Sequence, residues 1–247
     1  MNTTDLKIDI NADLGEGAGN DAAIMPLISS CNIACGGHTG TVNSMLKTIR
    51  LAQEYGVKIG AHPSFPDRDN FGRKVLTMTK SELTEAIYHQ LLAFFALCET
   101  EEIEVHHIKL HGALYNYAAK DAPTADAVVE AITKTKLRPK LYVPMNSVLA
   151  GKAENLLPLV YEAFIDRRYN DDLSLVARSE TYALIEDSND AWIQLKEMAT
   201  EQLVTTRNGI RKPMNANTYC IHGDHAQSVE ILNYIHKQLK LSSIQLA

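Results

Sequence analysis

Histidines and carboxylates stand at the ends of short apolar segments in the first quarter of the sequence. Asp13 and Glu16 lie in a glycine-rich stretch, and His38 and His62 each follow a run of small residues. Imidazole and carboxylate groups move protons near neutral pH, and they also bind divalent metals. Asp13, His38 and His62 are therefore the metal-ligand candidates, although the sequence has no H-E-x-x-H motif that would preset two imidazoles on one element. Proton transfer and metal binding both stay open.

The glycine-rich stretch 13–19 is a candidate anion site. Gly15 and Gly37, each near the end of an apolar segment, would let the backbone approach a phosphate closely. The stretch is not a dinucleotide fingerprint, because Asn20 stands where G-x-G-x-x-G requires its third glycine. The phosphate-loop pattern G-x-x-x-x-G-K-[ST] is absent from the sequence. A plain tight turn is the alternative interpretation.

Lys109 lies between His107 and His111 in the segment 105–111, with apolar residues at the alternate positions. Side chains two apart on a strand share a face, so the ammonium and both imidazoles point the same way. Burying them is costly unless an anion answers them. We expect Lys109 to bind a phosphoryl group or a substrate carboxylate, and His111 to act as an acid or base. A structural ion pair with a buried carboxylate is the alternative for Lys109.

Two later segments also carry charged residues. Glu162 lies within an apolar segment, where a carboxylate is unexpected without a partner or a function. Asp166 and Arg167 follow that segment, and His222 and Asp224 follow the last one. These five residues complete the candidate site.

Short apolar runs alternate with helical periodicity along the chain, which is typical of strand–helix units around a parallel sheet. One helix begins near Val42 and ends at Gly56, and Thr79 with Glu82 forms a capping-box pattern that opens another. The predicted strands lie near 7–13, 29–35, 57–62, 105–111, 140–144, 159–165 and 218–223, with helices in the gaps.

Polar side chains recur on one face of several predicted strands, beginning with Asn11 and Asp13. An open sheet covered by helices would be apolar on both faces, whereas a barrel has a shared lumen with its site at the carboxyl ends of the strands. We therefore predict an α/β fold, a distorted seven-stranded (β/α) barrel, forming one domain over residues 1–247.

The composition excludes several classes of function. The chain has 247 residues, with 24 Lys and Arg against 30 Asp and Glu, a net charge of -6 and no block of like charge, which argues against nucleic-acid binding. No apolar run is long enough to cross a bilayer, and the first five residues contain neither a basic start nor an apolar run. We expect a cytoplasmic protein with no membrane partner. The cysteines, Cys31, Cys35, Cys98 and Cys220, are expected to be buried thiols.

Several of these motifs, taken in order, resemble the LamB/YcsF family over nearly the whole chain. They are Asp9-Ile10-Asn11-Ala12-Asp13-Leu14-Gly15-Glu16, Ser30-Cys31-Asn32-Ile33-Ala34-Cys35-Gly36-Gly37-His38, Gly60-Ala61-His62-Pro63, His111-Gly112-Ala113-Leu114-Tyr115-Asn116, the stretch 162–169 and His222-Gly223-Asp224. The resemblance implies a fold similar to the seven-stranded barrels of sugar deacetylases. It also implies ATP-dependent opening of 5-oxoproline (pyroglutamate) to L-glutamate.

That reaction requires a site for a substrate carboxylate, a phosphoryl group and an acid–base pair. The resemblance implies a small-molecule substrate, two other 5-oxoprolinase subunits as partners, and ATP with Mg2+ as cofactor. The catalytic candidates are Asp13, His62, Lys109, His111 and Glu162. The candidates for substrate or phosphate binding are Asn11, Gly15, Glu16, Gly37, His38, Asp166, Arg167, His222 and Asp224.

Two other functions stay open from the sequence. One is a metal-dependent amidohydrolase or deacetylase-like enzyme that uses no ATP. The other is a non-catalytic subunit that only binds substrate.

Overall fold

Short parallel strands surround a common lumen in the computed structural model, which describes residues 6–247. The strands of this range are β1 (Leu6–Leu14), β2 (Ser30–Ala34), β3 (Lys58–His62), β4 (His107–Lys109), β5 (Lys140–Pro144), β6 (Leu159–Phe164), β7 (Leu203–Thr205), β8 (Arg211–Pro213), β9 (Thr218–His222) and β10 (Ile244–Leu246). Each of the seven predicted strands corresponds to one of β1 to β6 or to β9.

Seven of these strands close into a barrel. They follow the order β1, β2, β3, β4, β5, β6 and β9, and β9 pairs again with β1, so that every pairing is parallel. The register places Asp13 of β1 beside Asn32 on one neighbour and His222 on the other. The predicted seven-stranded barrel is confirmed. β10 adds an eighth parallel strand to the start of β1, outside the closed ring.

Helices cover the outside of the barrel. They are α1 (Asp21–Ile24), α2 (Val42–Tyr55), α3 (Lys80–Thr100), α4 (Gly112–Ala118), α5 (Ala122–Lys134), α6 (Val148–Ala153), α7 (Ser188–Lys196) and α8 (Ser228–Lys240). Gly56 ends α2 in the left-handed conformation, at φ 66°, which glycine adopts without strain. Thr79 and Glu82 form the predicted capping box of α3.

The strands separate an apolar exterior from a polar lumen. On β1, Ile8, Ile10 and Ala12 are buried in the apolar core, whereas the alternating Asn11 and Asp13 are buried in contact with other polar groups. Because one face of the strand meets the helices and the other meets the lumen, both faces are buried. All four cysteines are buried and free, as predicted.

The chain between β6 and β9 departs from the prediction that helices fill the gaps. Residues 166–187 form a strap without helix, joined to itself by the bridges between Arg167 and Leu184 and between Tyr169 and Leu175. The short helix α7 and the antiparallel pair of β7 and β8 follow it. The sequence of the strap has no period of 2 or 3.6 residues, so no strand or helix is predicted there. Its apolar side chains, such as Val176 and Ile185, are nevertheless buried.

The prediction of one domain over residues 1–247, and the interpretation of the start of the chain, include residues 1–5, which lie outside the described residues. In the described range, no helix combines the length and the apolar character that a membrane span requires.

Candidate functional site

A network of amide groups lines the deep part of the lumen and fixes two carboxylates. Asn11 donates from Nδ2 to Glu162 Oε1, at 2.9 Å, and to Thr218 Oγ1, at 2.8 Å. Asn32 donates from Nδ2 to Asn11 Oδ1, at 2.7 Å, and to Asp13 Oδ1, at 2.8 Å. Every member is buried. Asn11 therefore holds Glu162 in place, and it does not line the cavity at the carboxyl ends of the strands.

Lys109 lies in this network and makes two buried ion pairs. Its Nζ is 2.8 Å from Asp13 Oδ1 and 3.1 Å from Glu162 Oε1, and the residue is only 2% exposed. Burial would lower the pKa of Lys109, but Asp13 and Glu162 raise it well above its ordinary value. Lys109 is expected to bind an external anion, but in the structure two buried carboxylates already pair with its ammonium group. The geometry matches the structural ion pair that the sequence left as the alternative.

Two backbone carbonyls fix the orientation of His62 and His111. His62 donates from Nδ1 to the Lys109 carbonyl, at 2.8 Å, and His111 donates from Nε2 to the Phe71 carbonyl, at 2.9 Å. In their neutral forms, the other nitrogens, His62 Nε2 and His111 Nδ1, carry lone pairs. These two nitrogens lie 3.0 Å apart.

Carboxylate oxygens face the same two nitrogens. Glu16 Oε1 lies 3.1 Å from His111 Nδ1 and 2.9 Å from His38 Nε2, and Asp13 Oδ2 lies 3.4 Å from His62 Nε2. Burial would raise the pKa of Glu16, but the adjacent His111 and His38 rings hold it far below its ordinary value. Burial also opposes ionisation of Asp13, yet His62 and Lys109 keep its pKa well below the usual range. Both groups are carboxylates at neutral pH.

Acceptor atoms of Asp13 and Glu16 therefore lie around the contact between His62 Nε2 and His111 Nδ1. Acceptors repel one another unless a positive species lies between them, which here is a shared proton or a bound cation. The donor set fits a divalent metal, since three-ligand groups form from Asp13, His62 and His111 and from Glu16, His38 and His111. Of the three predicted metal ligands, Asp13 and His62 lie in one group, whereas His38 lies in the other group with Glu16.

A cavity of about 640 Å³ opens onto this acceptor cluster at the carboxyl ends of the strands. Of the predicted residues, those that line the cavity are Asp13, Glu16, Lys109, His111, Glu162, Arg167, His222 and Asp224. His62 and His38 lie behind this wall: His62 touches His111, and the His38 ring stacks on the His111 ring at 3.6 Å.

Several predicted binding residues have other roles. Gly15 adopts a φ of +72° and donates its N–H to Asp21 Oδ2, so that it forms a turn rather than an anion cradle. A side chain on Gly37 would overlap Gln90, so Gly37 serves close packing. Asp166 accepts from His222 Nδ1 at 2.9 Å and does not line the cavity, so it holds His222 in place. Asn11 and His38 likewise do not line the cavity.

The chain matches a known protein family over nearly its whole length. The sequence model of the LamB/YcsF family matches residues 8–247. The chain belongs to the LamB/YcsF family. A curated relative from Staphylococcus haemolyticus (strain JCSC1435), which is named as the A subunit of 5-oxoprolinase, is 39% identical, with 98% of this chain and 99% of the relative covered.

Solved structures agree with the assignment to the LamB/YcsF family. The lactam utilization protein of Thermus thermophilus is 34% identical and superposes with a TM-score of 0.91, covering 98% of this chain and 99% of that one. A family 4 carbohydrate esterase from Streptomyces lividans reaches a TM-score of 0.51 at 8% identity, covering 98% of this chain and 92% of that one. That likeness concerns the fold alone, and it agrees with the predicted seven-stranded barrel.

This LamB/YcsF chain also places residues at the cavity that the candidate list omits. Tyr115 is 5% exposed and lines the cavity beside Glu162, and neither the Tyr115 hydroxyl nor Glu162 Oε2 makes a hydrogen bond of good geometry within residues 6–247. Arg73 and Arg178 also line it. Tyr115 follows the His111-Gly112 pair closely, which is a signal that the sequence offered. The two arginines lie in segments without periodicity, where no local pattern indicates a site.

Proposed function

We propose that this chain is the lactam-opening subunit of an ATP-dependent 5-oxoprolinase. With two partner subunits, the assembly would convert 5-oxoproline to L-glutamate while ATP is hydrolysed to ADP and phosphate. The names of two relatives support the proposal, one a component of 5-oxoprolinase and the other a lactam utilization protein. The observation that carries it is the meeting of His111 and Glu16, backed by His62 and Asp13, at the wall of a cavity of about 640 Å³.

The cluster has the groups that lactam hydrolysis needs. Water adds to the lactam carbonyl carbon, the bond from that carbon to the ring nitrogen breaks, and the nitrogen takes up the proton that the water loses. We assign that proton transfer to His111 with Glu16, because both line the cavity and their atoms are 3.1 Å apart. Burial lowers the pKa of His111, which favours rapid release of the proton to the leaving nitrogen.

His62 and His38 are positioning residues in this scheme. His62 Nε2 lies 3.0 Å from His111 Nδ1, and the Lys109 carbonyl fixes the orientation of the His62 ring. His38 stacks on the His111 ring and binds the same Glu16 oxygen. Both constrain the direction in which His111 and Glu16 face the cavity, which is what proton transfer in a defined geometry requires.

Tyr115 and Glu162 supply groups for the lactam amide. Burial and the neighbouring Glu162 raise the pKa of Tyr115 well above its ordinary value, so the hydroxyl keeps its proton and acts as a donor. Glu162 Oε2 is a buried acceptor beside the Tyr115 hydroxyl. A lactam offers a carbonyl acceptor and an N–H donor side by side. We assign the carbonyl to Tyr115 and the N–H to Glu162.

A metal-dependent hydrolase is the second candidate, and two groups of three possible metal ligands favour it. Asp13, His62 and His111, or Glu16, His38 and His111, would hold a divalent ion. Such an ion would polarise a carbonyl or lower the pKa of a bound water. Metal analysis of the purified chain distinguishes the candidates, since a stoichiometric, tightly bound ion with amide cleavage in the absence of ATP supports the second one.

The decisive experiment measures glutamate release from 5-oxoproline by the chain, its two partner subunits and ATP with Mg2+, leaving out one component at a time. We expect release only when all components are present. Full release without this chain would reject its catalytic role. Normal release by an assembly that carries His111→Ala would instead favour a subunit that only binds substrate.

A further inference from the structure

Three arginines from two loops face the outer part of the cavity. Arg73 lies between β3 and α3, and Arg167 and Arg178 lie in the strap that follows β6. Asp224, after β9, pairs with two of them: Arg73 Nη2 hydrogen-bonds to Asp224 Oδ2, and Arg178 Nη1 lies 3.6 Å from the same oxygen. One carboxylate thus serves two guanidinium groups, while the third has a different environment.

Arg167 is a buried guanidinium without an ion-pair partner. It is 5% exposed, and within residues 6–247 it has no carboxylate oxygen within 4.0 Å. Its Nη2 donates to the Val176 carbonyl at 2.6 Å, whereas its Nε is buried and makes no hydrogen bond in the described chain. Burial lowers the pKa of Arg167 to about 10, and repulsion from Arg178 adds to this effect. Burying an unpaired guanidinium group lowers the stability of the fold unless an anion binds to it.

The position of these arginines connects them to the acid–base cluster. The Arg73 guanidinium lies 5.0 Å from the centre of the Phe71 ring, and the Phe71 carbonyl accepts the His111 Nε2 proton. The Phe71 ring also packs against the His111 ring, with centres 5.4 Å apart. An anionic group held at Arg73 would therefore bring the atoms attached to it close to His111.

We infer that Arg73, Arg167 and Arg178 form an oxyanion site that takes the charged end of the cavity's ligand. The inference rests on the proposed function and assigns the residues that bind the anionic group, either the carboxylate of the lactam or a phosphoryl group. Guanidinium groups suit both carboxylates and phosphoryl groups, because their N–H donors match two oxygens at once. Asp224 pairs with Arg73 and Arg178 but leaves Arg167 without an ion-pair partner among the described residues, which favours a bound anion at this end of the cavity.

The test is calorimetric titration of the full chain with inorganic phosphate, which needs neither the partner subunits nor turnover. We expect 1:1 binding to the wild type and a dissociation constant at least about tenfold higher in Arg178→Gln, because losing one charged hydrogen-bond donor has this order of effect. Arg50→Gln is the control, since Arg50 pairs with Glu101 away from the cavity and its removal should leave binding unchanged. Arg73→Gln provides a second variant if Arg178→Gln melts below the wild type.

Two further ligands separate the sources of the oxyanion. If 5-oxoproline displaces phosphate whereas 2-pyrrolidinone, which lacks the carboxylate, does not, the arginines take the carboxylate. If 5-oxoproline binds together with phosphate, they take a phosphoryl group. Absence of phosphate binding, or equal binding by wild type, Arg178→Gln and Arg73→Gln, overturns the inference. Phosphate binding at the arginines in a chain that supports no glutamate release would refute the proposed function and leave the oxyanion site standing.

Discussion

At the scale of single residues, the role of Lys109 cannot be deduced from its side-chain chemistry alone. An ammonium group in a barrel lumen suits a phosphate or a substrate carboxylate equally well. Its two ion pairs, with Asp13 and Glu162, instead make it the counter-charge of the lumen carboxylates. A positive charge fixed there also keeps Asp13 ionised beside His62.

Lys109→Met should lower the free energy of unfolding by about 3–5 kcal/mol, because it leaves buried carboxylates without their partner. Urea denaturation of wild type and variant measures the change. Lys58→Met is the matched control, since Lys58 forms a half-exposed pair with Asp9 on a neighbouring strand and should cost no more than about 1 kcal/mol. Equal stability of Lys109→Met and wild type would return Lys109 to an anion-binding role.

His111→Ala and His62→Ala should each lower turnover of the assembled enzyme by at least about 100-fold, the usual effect of losing a group for acid–base transfer or its support. Circular dichroism and melting curves check that the fold is intact. His89→Ala is the control, because the His89 side chain is 71% exposed and remote from the cavity. Near-normal turnover by both variants would remove this pair from the mechanism.

At the scale of elements, neighbouring strands share the space inside the barrel. Gly60 on β3 lies beside His107 on β4, and a Cβ at position 60 would overlap the His107 ring. His107 in turn bonds to Asn32 Oδ1 at 2.7 Å and stacks on Tyr142. Because Gly60 has no side chain, the His107 ring has room to enter the lumen and bond to Asn32.

Gly60→Ala should destabilise the protein by about 1–3 kcal/mol, because the added methyl forces a packed ring to move. Gly151→Ala is the matched control: position 151 lies in α6 with open space around it, and alanine there should stabilise by up to about 1 kcal/mol. Thermal melts of the two variants would show shifts of opposite sign. A Gly60→Ala variant that melts with the wild type would mean that the His107 ring is free to move away.

At the scale of the whole molecule, buried histidines make stability depend on pH. Burial lowers the pKa of His38 and of His106 to about 4, and it lowers that of His107 well below 6.5. Below pH 6.5 the unfolded chain binds protons that the folded chain does not, so the free energy of unfolding should fall as the pH decreases toward 4. The depressed pKa values of Asp13, Glu16 and Asp166 extend the loss to lower pH.

Urea unfolding at pH values between ~7.5 and ~4.5 tests this dependence, because stability changes with pH wherever the two states bind different numbers of protons. We expect a steady decrease across this range. His106 is half-buried and directly precedes β4. Replacing it with Gln should reduce the slope of unfolding free energy against pH between 6.5 and 4. A flat profile would show that these histidines take up protons in the folded chain as readily as in the unfolded one.

The isolated chain should show little or no 5-oxoprolinase activity when it is supplied with ATP. Its sequence has no phosphate-loop pattern, and the glycine-rich turn after Asp13 uses the Gly15 N–H to bind Asp21 rather than a phosphate. Coupled measurement of ADP and glutamate, with the chain alone and with the partner subunits, checks this. Robust turnover by the pure chain would mean that nucleotide binds here without a recognised motif.

The amino-acid sequence by itself determined the barrel and most of its polar lumen. The seven strands and the lumen face follow from alternation, since a residue such as Asn11 or Asp13 between apolar neighbours must point away from the helices. The histidines at strand ends, His62 and His111, can likewise be predicted, because parallel strands bring their carboxyl ends together. These features depend on a local period that each strand carries within its own residues.

Only the tertiary structure decided which atoms meet. Lys109 pairs with Asp13, 96 residues away, and the Phe71 carbonyl selects the nitrogen through which His111 faces Glu16. The strap that brings Arg178 to the cavity has no period at all, because contacts with the barrel rather than its own repeat fix its path. Ion pairing, the histidine tautomer and the position of the strap depend on distances between segments that are far apart in the chain. A local sequence pattern contains no information on those distances.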